Sequence, residues 1–258
     1  MILADLESDE ASIWQLVESC AYRADLPAWS ELSAGSGSVL DLGCGIGRVA
    51  RYLAAEGRTV VGVDRDPAMV ADMNRLASEP GVSAITGDVT EILDMPLGRD
   101  LFETIIAPQQ LLHILGGESS RLRMLAGVKR RLRPDGLAAF AISEWIPEES
   151  RTVEILPDVR ELDDWVFASR PVAVEDDGRS LTVVRLRQVV APDGGLTESH
   201  DSITLDVIDR DTLTAELAAE GFAVERMIEV PQTERHIASV IVVARHDAGR
   251  PRSVGFDR

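Results

Sequence analysis

Residues 39–48 read Val39-Leu40-Asp41-Leu42-Gly43-Cys44-Gly45-Ile46-Gly47-Arg48. An apolar strand candidate runs into three alternating glycines, and an amphipathic helical pattern over 48–56 follows them. Glycine lacks the Cβ that keeps a ligand off the backbone, and it permits positive φ in a tight strand-to-helix turn. A G-x-G gains its weight from that placement between strand and helix. A dinucleotide site asks for G-x-G-x-x-G, which puts the third glycine at position 48, yet that residue is Arg48 and the glycine stands at 47. The spacing therefore favours a ligand without phosphates over a pyrophosphate seated on the helix N-terminus. No Gly-Lys-Ser/Thr follows, which excludes a P-loop.

The same alternation continues on both sides. Strand candidates lie at 39–42, 59–63, 82–86, 102–107 and 137–143, with helical patterns at 48–56, 67–77 and 120–132 between most of them. Pro67 suits a first helical turn and Gly57 a helix stop. Near-continuous apolar strands alternating with helices predict an α/β protein with a doubly wound, mostly parallel sheet covered on both faces. Upstream, 9–21 places Ile13, Trp14, Leu16, Val17, Cys20 and Ala21 on one helical face. A link follows, with Pro27 and the cluster Gly35-Ser36-Gly37-Ser38. After residue 145 the rhythm changes. Segments 164–174, 181–190 and 197–207 are rich in Val, Thr, Phe and Trp, and the turn signals Glu175-Asp176-Asp177-Gly178 and Pro192-Asp193-Gly194-Gly195 separate them, predicting antiparallel hairpins. A helix at 211–220 and strands at 222–230 and 238–245 return to the core. The expected organisation is a helical cap at 1–34, a core at 35–150 and 206–246, an antiparallel β lid or substrate wall at 151–205, and a loose tail at 247–258. The lid leaves from the carboxyl end of a strand, the edge where open parallel sheets bind ligands.

Charge limits the partners. The 258 residues hold 26 basic and 44 acidic side chains, a net charge of −18, which argues against nucleic acid. The cationic run Lys129-Arg130-Arg131 with Arg133 reads as favourable charge at a helix C-terminus. Cys20 and Cys44 lie far apart without ligand spacing, so neither a disulfide framework nor a metal site is expected. No apolar run approaches the ~20 residues of a membrane span. Residues 1–10 carry no basic flank of a signal peptide. The expectation is a soluble cytoplasmic protein whose partner is a small molecule, with its oligomeric state open.

Two carboxylates follow the glycines at successive strand ends. Asp64 stands at the tip of the second strand, where it can accept from both hydroxyls of a ribose. Asp88 ends the third and is placed to accept an amino group such as adenine's. Each alone also reads as a loop or capping residue. Asp41, inside the first strand end, can serve loop amides and a ligand together.

The stretch 41–47, with Gly62-Val63-Asp64 and Gly87-Asp88, resembles the consecutive motifs of class I S-adenosylmethionine-dependent methyltransferases over residues 20–145. The final helix–strand–strand resembles that fold's closing antiparallel hairpin, which implies a seven-stranded Rossmann-like sheet. Leu132-Arg133-Pro134-Asp135-Gly136 resembles its turn before strand 5, with Asp135 as a departure; Glu103 and Ile46 depart where Asp and Thr are frequent. The resemblance implies S-adenosylmethionine as cofactor. Gly43, Gly45 and Gly47 would line its methionine part, Asp64 the ribose, and Asp88 with Val89 the adenine, with Arg65 and Met69 as neighbours. Pro108 would lie beside the transferring methyl, Arg48 would face the methionine carboxylate or sit on the surface, and Tyr22 would close over the cofactor or simply pack.

Methyl transfer is an in-line displacement in which alignment supplies most of the acceleration. His113 is the candidate base, its unperturbed pKa of ~6.5 suiting proton pick-up near neutrality; a packed helix histidine is the other reading. Gln109 and Gln110 could orient an acceptor or cap a helix. Glu144 beside Trp145 would suit a cationic amine. Arg187 in the lid, with Trp165, Phe167 and Arg185, either contacts substrate or fills a second small core. The expected activity is methylation of O or N on a metabolite or natural-product intermediate. Two alternatives are a cofactor-binding relative catalysing a non-methylating reaction such as cyclisation, and a nicotinamide-dependent oxidoreductase, which Arg48 disfavours.

Overall fold

The computed structural model describes residues 10–143 and 156–247. In chain order the elements are α1 (Glu10–Glu18), α2 (Leu26–Leu32), β1 (Val39–Leu42), α3 (Arg48–Ala55), β2 (Val60–Asp64), α4 (Pro67–Leu76), β3 (Val82–Thr86), a 3-10 turn (Val89–Asp94), β4 (Phe102–Ala107), α5 (Leu111–Ile114), α6 (Glu118–Arg131) and β5 (Leu132–Ile142). The strands of the expected lid, β6 (Asp158–Leu162), β7 (Trp165–Asp176), β8 (Ser180–Val190) and β9 (Leu196–Asp206), follow. The chain then closes with α7 (Arg210–Ala219), β10 (Phe222–Val230) and β11 (Ser239–His246).

Seven strands form one sheet in the order β10-β11-β5-β4-β1-β2-β3. Strands β1 to β5 run parallel, and β11 enters antiparallel to β5 with β10 antiparallel to it. Alternation along the strands builds two cores. Leu40, Leu42, Ile105 and Phe140 face Met124, Leu125 and Val128 of α6 and Leu213 and Leu217 of α7. Val39, Ile106, Ala139 and Ile241 face Trp29 of α2, Val49 and Leu53 of α3 and Met73 of α4. With both faces covered, β1 is buried throughout, which explains its unbroken apolar run. Chain order reverses between β1 and β4, and the carboxyl ends on either side of that switch open the crevice where such sheets bind ligands.

The excursion after β5 is a four-stranded antiparallel sheet, β6-β7-β8-β9. The three strands expected there are present, and β6 is an addition. A third core ties the parts together: Trp14, Leu16 and Val17 of α1 pack with Ile46 of the glycine loop and with Leu162 and Phe167 of the lid. The expected link before β1 holds the helix α2, whose Pro27 occupies a first-turn position compatible with helix. Strand β5 starts earlier than expected. Leu132 pairs with Phe102 and Leu137 with Thr104, so residues 133–136 bulge out between two paired ends of one strand. No helix among the described residues is long and apolar enough to cross a membrane.

Candidate active site

The glycine loop is fastened to β2. The N–H groups of Gly43 and Cys44 donate to the Val63 carbonyl at 2.8 and 3.1 Å. Gly45 N–H donates to Asp64 Oδ2 at 2.8 Å, and Asp66 N–H to Asp64 Oδ1 at 3.0 Å. Each carboxylate oxygen accepts one backbone bond and keeps a further lone pair, so the loop-bracing and ligand-binding readings of Asp64 are compatible. Gly45 and Gly47 have φ of +52° and +83°, a region costly for any residue with a Cβ. A Cβ at Gly45 would run into the Gln15 amide, and one at Gly47 would meet Met73 at 2.8 Å. Gln15 lies on α1 and its Oε1 accepts from Ile46 N–H at 2.6 Å, stapling the N-terminal helix over the loop.

Asp88 caps the 3-10 turn, its Oδ1 accepting from Thr90 N–H at 2.8 Å. Behind that turn the buried Arg131 donates to the carbonyls of Ile92, Leu93 and Met95 at 3.2, 2.6 and 2.7 Å, so one residue of the basic run holds the segment after Asp88 in place. Asp64, Arg65, Met69, Asp88 and Val89 all border one cavity of about 740 Å³. That volume lies within the range of small-molecule sites.

A second hollow of about 20 Å³ lies beneath the loop, lined by Asp41, Gly43, Cys44, Arg48, Pro108 and Gln109, with Gln15 and Ser19 above. Asp41 is 1% exposed and its Oδ1 has no hydrogen-bond partner among the described residues. Burial pushes its carboxyl up to about 7, with Arg48 pulling the other way. An orphaned acceptor beside a small hollow asks for a donor such as an ammonium. Arg48 is committed elsewhere: its terminal nitrogens donate to both oxygens of Asp25 at 2.6 and 2.7 Å and to the Tyr22 carbonyl at 3.0 Å. It borders the hollow, and its buried Nε has no hydrogen-bond partner among the described residues. Tyr22 borders the large cavity and packs against His236, ring centroids 4.6 Å apart and tilted by 30°.

His113 also borders the cavity, yet both ring nitrogens are engaged. Ser143 N–H donates to Nε2 at 3.0 Å, which fixes the proton on Nδ1, and Nδ1 donates to the Asp206 carbonyl at 2.8 Å. Burial holds its pKa below the usual histidine value, opposed by the bond to Asp206. In this geometry no lone pair is free to take a proton. The ring thereby bridges α5, the end of β5 and the end of β9.

Gln109, Gln110 and Arg187 border the cavity, Gln109 with a positive φ of 57°. Arg187 sits 4.8 Å over the Trp14 ring and donates to both oxygens of Glu18 at 2.9 and 3.1 Å. Glu144 and Trp145 lie outside the described residues. Sequence reasoning missed Gln15, Glu18, Asp25 and Asp158. Their partners are distant in the chain, and neither a motif nor a composition shift marks them.

Residues 39–136 match a family model described as a methyltransferase domain. A methyltransferase named GfsG from Streptomyces halstedii is 34% identical over 114 residues, 43% of this chain and 39% of that protein. A 2-heptyl-1-hydroxyquinolin-4(1H)-one methyltransferase from Mycobacteroides abscessus is 40% identical over 70 residues, 27% of this chain and 31% of that protein. The matches thus span well under half of these relatives. Over nearly the whole length the likeness is one of fold. CalS10, an amino pentose methyltransferase from Micromonospora echinaspora solved with S-adenosylmethionine bound, superposes with a TM-score of 0.68 at 21% identity, covering 90% of this chain and 95% of that one. The glycine loop, the acidic strand ends and the sheet order agree with these matches: residues 39–136 are similar to a methyltransferase domain, and the fold is that of solved methyltransferases.

Proposed function

We propose that this protein transfers the methyl group of S-adenosylmethionine to an oxygen or nitrogen of a small-molecule metabolite or natural-product intermediate. The observation that carries the reading is one cavity bordered both by the cofactor-side carboxylates Asp64 and Asp88 and by the inner face of the lid, Leu181, Val183 and Arg185 among them. A cofactor end and an acceptor end thereby share one space. The donor set suits the cofactor. Asp41 offers an unmatched oxygen to an ammonium, Asp64 spare lone pairs to ribose hydroxyls, and Asp88 an acceptor to an adenine amine. Arg48 stands where a dinucleotide loop has its third glycine, and its guanidinium is paired with Asp25, which weighs against the nicotinamide alternative.

When bound, the cofactor supplies a methyl carbon already activated by a cationic sulfur. The chain's own work is placement. Asp64 and Asp88 would orient the adenosyl part, Gln15 would hold the N-terminal helix over the loop, and the lid would align an acceptor and exclude water. Pre-placement of this kind is worth up to about 7–11 kcal/mol of barrier. With His113 locked in two backbone bonds, the reading needs no dedicated base among the described residues. CalS10 is an amino pentose methyltransferase, which supports a small-molecule acceptor. The test is incubation of purified protein with S-adenosylmethionine carrying an isotopic methyl and a metabolite extract. Labelled product together with S-adenosylhomocysteine supports the reading; turnover of extract components without label in any product overturns it in favour of a non-methylating reaction.

A further inference from the structure

The lid turns one face of its sheet to the cavity, and strand register orders that face. Leu181 pairs with Leu205, Val183 with Ile203 and Arg185 with Asp201, and all six border the cavity. Two apolar rungs therefore lead to an ionic one. Rungs on one face lie two residues apart, so the wall from the first to the third is about 13 Å long. Ile114, Leu115 and Ile208 border the same space from the core.

At the ionic end stands Asp158, the first residue of β6, 5% exposed and bordering the cavity. Its Oδ2 accepts from Arg185 at 2.7 Å, while Oδ1 has no hydrogen-bond partner among the described residues. A buried carboxylate oxygen is costly to leave unmatched, so a site that keeps one is built to receive a donor. The surroundings set the sign of that donor. Glu18 pairs with Arg185 at 3.4 Å and Arg187 at 2.9 Å, and Asp201 pairs with Arg187 at 3.0 Å. Three carboxylates thus share two guanidiniums, one negative charge in excess. His236 and Tyr22 also border the cavity and pack against one another.

We infer that Asp158 and the lid's inner face recognise the acceptor, and that the acceptor is an amphipathic amine. Its ammonium donates to Asp158 Oδ1 while its apolar body lies along the Val183/Ile203 and Leu181/Leu205 rungs. The inference rests on the methyltransferase reading of the cavity and assigns the anchoring group, not the atom methylated. Arg185 acts as a positioning residue that fixes the Asp158 carboxylate through Oδ2.

Calorimetric titration of the protein loaded with S-adenosylhomocysteine tests this, using n-butylamine, n-hexylamine and n-octylamine, with hexanoate as the counter-probe. The amines should bind one per chain, each added methylene tightening binding about 3- to 4-fold. Hexanoate should bind at least about tenfold more weakly than hexylamine, and Asp158→Asn should weaken hexylamine by about ten- to a hundredfold with S-adenosylhomocysteine affinity unchanged. Should Asp158→Asn fail to fold, Val183→Ser supplies the second arm, since it should flatten the chain-length dependence while the preference for amine over carboxylate persists. Cofactor-product binding without amine binding, hexanoate binding as tightly as hexylamine, or an Asp158→Asn protein that holds hexylamine unchanged overturns the inference alone. Failure of S-adenosylhomocysteine itself to bind overturns the functional reading and this inference with it.

Discussion

Replacing His113 with leucine separates a brace from a base. The imidazole is 5% exposed and makes two backbone bonds, accepting from Ser143 N–H and donating to the Asp206 carbonyl. Leucine fills similar space and makes neither bond. Two part-buried backbone groups then lose their partner at about 0.5–1.5 kcal/mol each, a loss of about 1–3 kcal/mol. Against a total stability of about 5–15 kcal/mol for a typical domain, that is a large share. Asp206 amplifies the effect, since its Oδ2 also accepts from Gly117 N–H at 2.6 Å and Arg121 at 3.1 Å, so its release loosens the junction of lid and α6. The pH dependence carries a second signature. Burial holds the folded pKa of His113 below its unfolded value, so the unfolded chain takes up the proton first as pH falls. The stability from the neutral ring is complete above pH ~6.5 and is lost as pH falls through the lower folded value, by up to about 1.4 kcal/mol per pH unit. Asp41 works in the opposite sense: its pKa is raised to about 7, so its contribution is lost as pH rises through that value. The diagnostic is therefore the difference between wild type and His113→Leu in urea melts from pH 5 to 8. The variant should be less stable at pH 8, and the gap should narrow toward pH 5. A variant that melts within about 0.5 kcal/mol of wild type at every pH, but loses catalysis, would refute the brace and restore the base.

Further expectations concern the loop and its supports. Asp64→Ala should weaken S-adenosylhomocysteine binding by about 1–3 kcal/mol, read by calorimetry, because it removes the ligand's acceptor and orphans Gly45 N–H. Gly45→Ala adds a Cβ where the Gln15 amide sits, at a φ of +52°; it should cost about 1–2 kcal/mol in chemical denaturation and weaken the cofactor product through displacement of α1. Arg48→Met leaves Asp25 charged and buried, its side chain 4% exposed, and should cost about 3–5 kcal/mol in the same denaturation assay.

The parallel core was legible because burial on both faces leaves a mark: strands such as 39–42 and 102–107 are nearly unbroken in apolar residues. The glycine loop and the acidic strand ends were legible because motif and element boundary coincide. What escaped has physical reasons. Helix α2 hid behind Pro27, a residue that breaks helices in their interior but is tolerated in the first turn. Strand β6 reads Asp-Val-Arg-Glu-Leu, and its Asp158 is buried only because Arg185, 27 residues on, pairs with it. Likewise the pairing of Arg48 with Asp25 and the seat of Gln15 on the glycine loop join distant segments, 23 and 31 residues apart. His113 borders the cavity, but the two backbone groups that occupy its nitrogens come from Ser143 and Asp206, 30 and 93 residues away and out of reach of a sequence pattern.

The account stands on the crevice at the carboxyl ends of β1 and β2 gripping a phosphate-free adenosyl ligand. Titration of the purified chain with S-adenosylhomocysteine, with NADH in parallel, measures that grip directly. One S-adenosylhomocysteine bound per chain, abolished or sharply weakened when Asp64 and Asp88 are both changed to alanine, with no saturable NADH binding, is the predicted result. Saturable NADH binding with no heat from S-adenosylhomocysteine would contradict it.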